Sequence, residues 1–267
     1  MKNILVLSHD DRGQEARLQA GLDLTRAFEG HLTCVDVVDV PMLPATPLSG
    51  AGHGMFVAET QLQDAEHRAR IRAQLAREDV SWSWLEMSGE VSACLADAAR
   101  LSDLIVASAH ATGFLGLDEH HFAAKAVVNA KAPVLAVPDT IRGFDPTGTA
   151  IVAWDGSDHA AAALRAAIPL LRHSSHVVLA EIEDDSIQTP VEDAATYLSR
   201  HNIHTRVHRD GLRLGTVAKT LLDAVSRLDA HYVVMGAFHH WRVTENLFGG
   251  VTRTMLEKSP VPLFLAH

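Results

Sequence analysis

The chain repeats itself at half its length, and a repeat of that size constrains the fold more than any single motif does. NILVLSHD (residues 3–10), a helical stretch and HLTCVDVVD (31–39) are echoed by AIVAWDGSD (150–158), a helical stretch and HVVLAEIED (176–184). The halves also close alike, with DLIVAS and KAPVLAVP in the first against HYVVMG and SPVPLFLAH in the second. Laying Ile4 on Ile151 offsets the halves by 151 − 4 = 147 residues, and laying Pro133 on Pro262 offsets them by 262 − 133 = 129. The first half therefore carries 147 − 129 = 18 extra residues. Most of them belong to the Pro/Gly/Ala-rich stretch PMLPATPLSGAGHGM (41–55), which reads as a loop. A Pro/Gly linker, PDTIRGFDPTGT (138–149), separates the halves, giving domains at 1–140 and 148–267. A length of 267 residues agrees with two domains.

Within each half the pattern alternates. Apolar, β-branched runs at Ile4–Leu7, Leu32–Val38, Leu104–Val106 and Val134–Val137 read as strands buried on both faces, as parallel strands are. Val217, Leu221, Ala224, Val225 and Leu228 form one apolar helical stripe, and Val191, Ala194, Ala195 and Leu198 form another. The order β-α-β-α-β-α-β-α-β, run twice with right-handed crossovers, predicts an α/β chain of two tandem doubly wound domains. Each is an open five-stranded parallel sheet with helices on both faces. Ligands of such sheets bind beyond the carboxyl ends of the strands, where the strand order reverses.

In the second half the first strand ends in Trp154-Asp155-Gly156-Ser157, suited to a tight turn into a helix capped by Ser157 or Asp158. Asp155 either organises that turn or meets a ligand, and both readings stay open at this point. The fourth strand ends in Met235-Gly236, then AFHHWRVTENLF leads to Gly249-Gly250-Val251-Thr252 at the start of the last helix. Glycines before a helix N-terminus present backbone N–H groups and the positive end of the helix dipole, which suits a phosphate. Lacking a Cβ, Gly236 and Gly249 are expected to let a ligand press against the main chain.

With these residues the chain resembles a tandem member of the universal stress protein family, two copies joined head to tail. The resemblance implies an adenine-nucleotide alpha-hydrolase-like fold and the family's motif Gly-x2-Gly-x9-Gly-(Ser/Thr) after the fourth strand, with an Asp ending the first. It implies ATP or AMP in the C-terminal domain only. Asp155 would contact the nucleoside and the backbone of Ile182 the adenine. Met235 and Gly236 would form the fourth-strand end, Gly249 would lie at the phosphates, and Val251 and Thr252 would lie in the first helical turn. Two positions depart from the motif. His239 stands at its second glycine, where an imidazole adds bulk but also a donor, and Gly250 stands at the Ser/Thr, keeping the N–H without the hydroxyl. In the first half Ser8 is read in place of the Asp, Ala107 and His110 in place of two glycines, and His120-His121 in place of the Gly-Ser pair. Nucleotide is therefore not expected there. That half would complete an intramolecular pseudo-dimer through the last strands, with a further homodimer of chains allowed.

Composition narrows the function classes. Lys plus Arg is 23 against 33 for Asp plus Glu, a formal net charge of −10, which argues against a nucleic-acid partner. Two cysteines, Cys34 and Cys94, rule out a disulfide framework or a thiolate zinc cluster. The charged N-terminus and the lack of a long apolar run lead to an expected cytoplasmic protein with no membrane partner. Among 17 histidines, His9, His110, His120 and His121 fall at the first crevice near Asp10 and Asp118. They lack a recognised metal spacing, so no metal is expected. No P-loop or GxSxG elbow occurs, GLRLGT (211–216) lacks the P-loop spacing and Lys, and no general base is marked by a carboxylate neighbour in sequence. No catalytic residue is assigned. The reading is a stress-response module holding adenine nucleotide, with a nucleotide-independent interaction scaffold as the alternative. A slow ATP hydrolase or a histidine-cluster metal protein ranks below both.

Overall fold

A computed structural model describes residues 1–38, 64–109, 132–183, 189–211, 216–237 and 250–267. The first half contributes β1 (Asn3–Ser8), α1 (Gln14–Phe28), β2 (His31–Val38), α2 (64–75), β3 (Ser81–Ser88), α3 (Val91–Ala98), β4 (Leu104–Ser108) and β5 (Val134–Val137). The second contributes β6 (Thr149–Trp154), α4 (Asp158–Leu171), β7 (His176–Glu183), α5 (Val191–Arg200), β8 (Thr205–Gly211), α6 (Val217–Arg227), β9 (Tyr232–Gly236), α7 (Gly250–Lys258) and β10 (Leu263–Ala266).

The two halves share one ten-stranded sheet, ordered β3-β2-β1-β4-β5-β10-β9-β6-β7-β8. Every neighbouring pair is parallel except β5 with β10, which run antiparallel through Ala136↔Leu263, Leu135↔Phe264 and Val134↔Leu265. Each half is thus the expected five-stranded parallel sheet, and the join through the last strands is the expected pseudo-dimer. The join is apolar because VLAV and LFLA are buried on both faces. Strand alternation sends Ile4, Val6, Ala150, Val152 and Phe264 into one core layer, under α1, α2, α4 and α5. Leu5, Leu7, Ile151, Val233 and Leu265 enter the opposite layer, under α3, α6 and α7. Ser157 caps α4, its hydroxyl accepting from the N–H of Ala160 at 3.2 Å, and Thr216 caps α6 by accepting from Lys219 N–H at 3.3 Å.

The ladder corrects the alignment of the halves by one residue. Ile4 pairs with Leu32 and Leu104, and Ala150 pairs with Val177 and Tyr232, so Ile4 matches Ala150, an offset of 150 − 4 = 146. Ile151 matches Leu5 instead, and those two lie together in the second core layer. A one-residue slip in a strand moves every side chain to the other face, which is why burial rather than letter similarity sets the register. His9, not Ser8, therefore stands where the second half has Asp155, and Ser8 matches Trp154. In the fourth strands Leu104 matches Tyr232, so Ser108, not Ala107, stands where the second half has Gly236.

Because the sheet and both core layers cross the join, the two halves should unfold together. Urea unfolding is expected to show one transition by fluorescence and circular dichroism. Phe264→Ala, at a position with no exposure, should lower stability by about 3–5 kcal/mol while keeping that single transition. Two separable transitions in the parent protein would contradict a shared core.

Candidate functional site

Strand order reverses between β1 and β4 in the first half and between β6 and β9 in the second. Antiparallel pairing of β5 with β10 puts these two crevices at opposite ends of the sheet. They share a backbone plan and differ in how side chains fill it.

In the second crevice, Gly156 takes φ +74° and turns the chain from β6 into α4, a left-handed conformation that favours glycine. Asp155 accepts the N–H of Ser157 at 3.0 Å, so it does organise the turn, and its side chain is exposed at the crevice mouth. Trp154 is only 6% exposed and donates its indole N–H to the carbonyl of Thr189 at 3.0 Å, which holds the ring in the core layer. Glu181, buried at the end of β7, accepts from Arg209 at 2.9 Å, and Arg209 also reaches Glu192 on α5. Next to it Ile182 is half-buried and packs with the layer that holds Met235. Gly250 opens α7, is exposed, and a Cβ added there would meet nothing within 4 Å. Among the described residues nothing crowds Gly250 at the start of this helix.

Packing around three of these positions is defined. A Cβ on Gly236 would lie 2.7 Å from the backbone N of Ala160 and 2.7 Å from the backbone C of His159, so the missing Cβ admits α4. Met235 and Thr252 are each 5% exposed and belong to the interior, which leaves only their main chain to a ligand. Val251 packs against the same core layer. His239 and Gly249 lie outside the described residues, as do His110, Asp118, His120 and His121. Of the sequence-predicted set, Asp155, Ile182, Gly236, Gly250 and the start of α7 do come to the carboxyl end of one sheet.

The first crevice is filled by its own polar side chains, which sequence reasoning missed. Arg17, 1% exposed on α1, donates Nε to the carbonyl of Leu7 at 3.1 Å and Nη2 to the carbonyl of His9 at 3.0 Å. Its Nη1 meets both oxygens of Asp11 at 2.8 and 2.9 Å and also the hydroxyl of Ser108. The guanidinium thus spans the ends of β1 and β4, and the Arg17 and Asp11 side chains are only 1% and 2% exposed. By the corrected register, Ala163 stands in the second half where Arg17 stands in the first, and Ser157 where Asp11 stands. The close approach of first helix to fourth strand is also kept, with the glycine on the other partner. A Cβ on Gly13 would collide with Ser108 Oγ, whereas in the second half the glycine is Gly236 and the helix side carries His159.

Beside this plug, Ser8 Oγ lies 3.3 Å from His67 Nε2, and His67 Nδ1 lies 3.2 Å from Asp10 Oδ1. Arg70 donates to Asp10 at 2.9 Å. His67 sits 57 residues from Asp10, and an isolated His on the helical stretch DAEHRARIRAQL carries no local signal of that contact. Arg17 offered a weak one, a charge among the buried positions of α1. Burial lowers the pKa of His9, with Asp11 opposing and Arg17 and His67 adding to the effect. Among the described residues no group of three His, Cys, Asp or Glu could hold a metal ion. No described helix is long and apolar enough to cross a membrane.

Residues 147–267 match the universal stress protein family. The match spans the second copy of the repeat, somewhat less than half of the chain. Over its whole length the chain also superimposes on a universal stress protein from Archaeoglobus fulgidus DSM 4304, with a TM-score of 0.76, 17% identity, and coverage of 100% of this chain and 98% of that one. A functionally unknown protein from Pseudomonas aeruginosa PAO1 gives a TM-score of 0.56 at 16% identity, covering 100% and 92%. These likenesses establish the fold of both halves. No curated protein sequence matches the chain. The universal stress protein fold is therefore present twice, although only the C-terminal copy matches the family by sequence.

The buried ion pair makes a sharp prediction. Asp11→Ala leaves the guanidinium uncompensated and should cost about 3–5 kcal/mol in urea unfolding. Arg17→Met combined with Asp11→Asn removes both charges and should recover most of that loss. A cost below about 1 kcal/mol for Asp11→Ala would show that the pair does not hold the crevice together.

Proposed function

We propose that this chain is a universal stress protein, a stress-response module whose C-terminal crevice holds an adenine nucleotide, ATP or AMP, while its N-terminal crevice holds none. The observation that carries the reading is the contrast in filling. One crevice is plugged by Arg17, Asp11 and Ser108, whereas in the other Asp155 stands exposed at the end of β6 and Gly250 stands exposed at the start of α7.

In this reading the exposed Asp155 carboxylate accepts from the ribose hydroxyls, keeping the N–H of Ser157 as its fixed partner. The main chain of Ile182 meets the adenine edge. Backbone N–H groups at the start of α7, where Gly250 leaves open space, receive the phosphates, helped by the positive end of the helix dipole. His239 and Gly249 of the family motif belong to the same proposed site. A tandem arrangement of domains 1–140 and 148–267, working as a pseudo-dimer with or without a second chain, is part of the proposal.

Protein purified without added nucleotide, then denatured, should release adenine nucleotide detectable by absorbance and chromatography, or should gain thermal stability on adding millimolar ATP or AMP. Asp155→Ala should weaken binding by about ten- to a hundredfold, since hydrogen bonds to a charged group contribute about 1.5–3 kcal/mol. Binding unchanged in that variant would remove Asp155 from the site. No released nucleotide together with no thermal shift would favour the second reading, an interaction scaffold that works without nucleotide. The observation favouring that reading is α4 packed into the space a ligand would find at Gly236.

A further inference from the structure

The two halves also differ at the amino-terminal ends of their strands, away from either crevice, and this difference does not depend on the nucleotide reading. In the first half His31 opens β2 and its ring is held on both sides. Its Nδ1 lies 2.7 Å from Ser81 Oγ and its Nε2 lies 2.9 Å from Ser83 Oγ, both on β3. Leu32 pairs with Ile4 and Trp82, and Val177 pairs with Ala150 and Thr205. His176 is therefore the counterpart of His31, His204 of Ser81, and Arg206 of Ser83. Two hydroxyls that satisfy a histidine in one half are a histidine and an arginine in the other. His176 turns to its own neighbour instead, with Nδ1 3.2 Å from Ser175 Oγ.

These three exposed side chains border a surface cleft of about 430 Å³, with Val178 and Leu228 forming its apolar side. Arg206 is a permanent cation, and the imidazoles beside it add ring N–H donors. Elsewhere on β8 the protein supplies counter-charges: Arg209 pairs with Glu181 and Glu192, and His208 and Arg227 meet Asp210. At this end it does not. Among the described residues His176, His204 and Arg206 have no carboxylate within ion-pair distance, and no carboxylate lines the cleft. Charge on an edge strand guards it against unwanted pairing, but Arg209 and Asp210 already provide that. The C-terminus of α6, capped at Leu228, brings the negative end of its dipole to this side. That effect opposes an anion, yet at an exposed helix end it is weaker than one charge-assisted hydrogen bond.

We propose that this cleft binds a small phosphomonoester, with the phosphate on Arg206, His176 and His204 and the organic group on Val178 and Leu228. The planar guanidinium presents paired donors that match two phosphate oxygens, and the imidazole N–H groups reach the remaining ones. The cleft has the volume of a small-molecule site, larger than a bare oxyanion fills. Its apolar side then favours an ester over inorganic phosphate, because covering Leu228 removes apolar surface from water. The proposed nucleotide crevice lies at the carboxyl ends of the same strands. The length of β7, roughly 25 Å, separates the two places, so binding at one does not block the other.

Calorimetric titration of the full-length protein with phenyl phosphate, in a low-salt buffer free of phosphate, tests the site. The expected result is saturable binding of one phenyl phosphate per chain. Combining His204→Ser with Arg206→Ser should weaken it by at least about tenfold, since a hydrogen bond to a charged group is worth that factor or more. This pair copies the pattern of the first half, so circular dichroism should show the parental fold. Arg206→Gln alone is the second variant and should weaken binding by about tenfold. Inorganic phosphate should bind at least about fivefold more weakly than phenyl phosphate, and saturating adenosine, which lacks a phosphate, should leave phenyl phosphate affinity unchanged. No binding at millimolar phenyl phosphate overturns the proposal, as does parental affinity in a folded Arg206→Gln variant. Displacement of phenyl phosphate by adenosine assigns it to the other crevice and overturns the proposal too. Equal affinity for inorganic phosphate and phenyl phosphate overturns the part given to Val178 and Leu228.

Discussion

The rest of the structure depends on one antiparallel contact, the pairing of β5 with β10. Each of these strands would otherwise be the exposed edge of its half, with apolar side chains on both faces and unpaired N–H and C=O groups along one side. Such an edge invites association. Placing both copies in one chain and pairing the two edges with each other removes the hazard and merges the core layers across the join. Direction matters as much as contact. Because the join is antiparallel, the carboxyl ends of the two sets of strands point opposite ways.

That separation has let two copies of one backbone plan diverge in their interiors. In the first, Arg17 ties the ends of β1 and β4 with bonds to two carbonyls, a carboxylate and a hydroxyl. In the second, the corresponding helix positions are alanines and the approach to the fourth strand is made against Gly236. A guanidinium so completely bonded cannot be displaced by a nucleotide without leaving Asp11 and the carbonyls unsatisfied, a cost several times larger than one hydrogen bond returns. The same burial brings Ser8 and His67 together near the strand ends, where side chains from different elements converge.

Most of the architecture was legible. Periodicity separated buried strands such as Ile4–Leu7 from amphipathic stripes such as Val217 to Leu228, and the repeat predicted two doubly wound sheets, while only the family resemblance implied that they join by their last strands. The site was legible in part. Asp155-Gly156-Ser157 was read as a turn and helix cap, and it is one. Gly236 was read as a place of close approach, and its missing Cβ makes room for α4. A glycine in sequence says that something approaches closely; only packing says what. The one-residue error in aligning the halves came from the same limit, since Ile4 and Ile151 share a letter but face opposite sides of the sheet.

The amino-acid sequence by itself determined the element order, the tandem repeat and the strand-end and helix-start residues of the C-terminal crevice. These rest on local periods and turn chemistry, which act over a few residues. Tertiary structure alone decided that the two sheets are one, which residue of each half stands at each crevice position, and that His67 meets Asp10 and Ser8. Those contacts join side chains tens of residues apart, and only the shared burial of β1, α1 and α2 in one core layer brings them within hydrogen-bond reach.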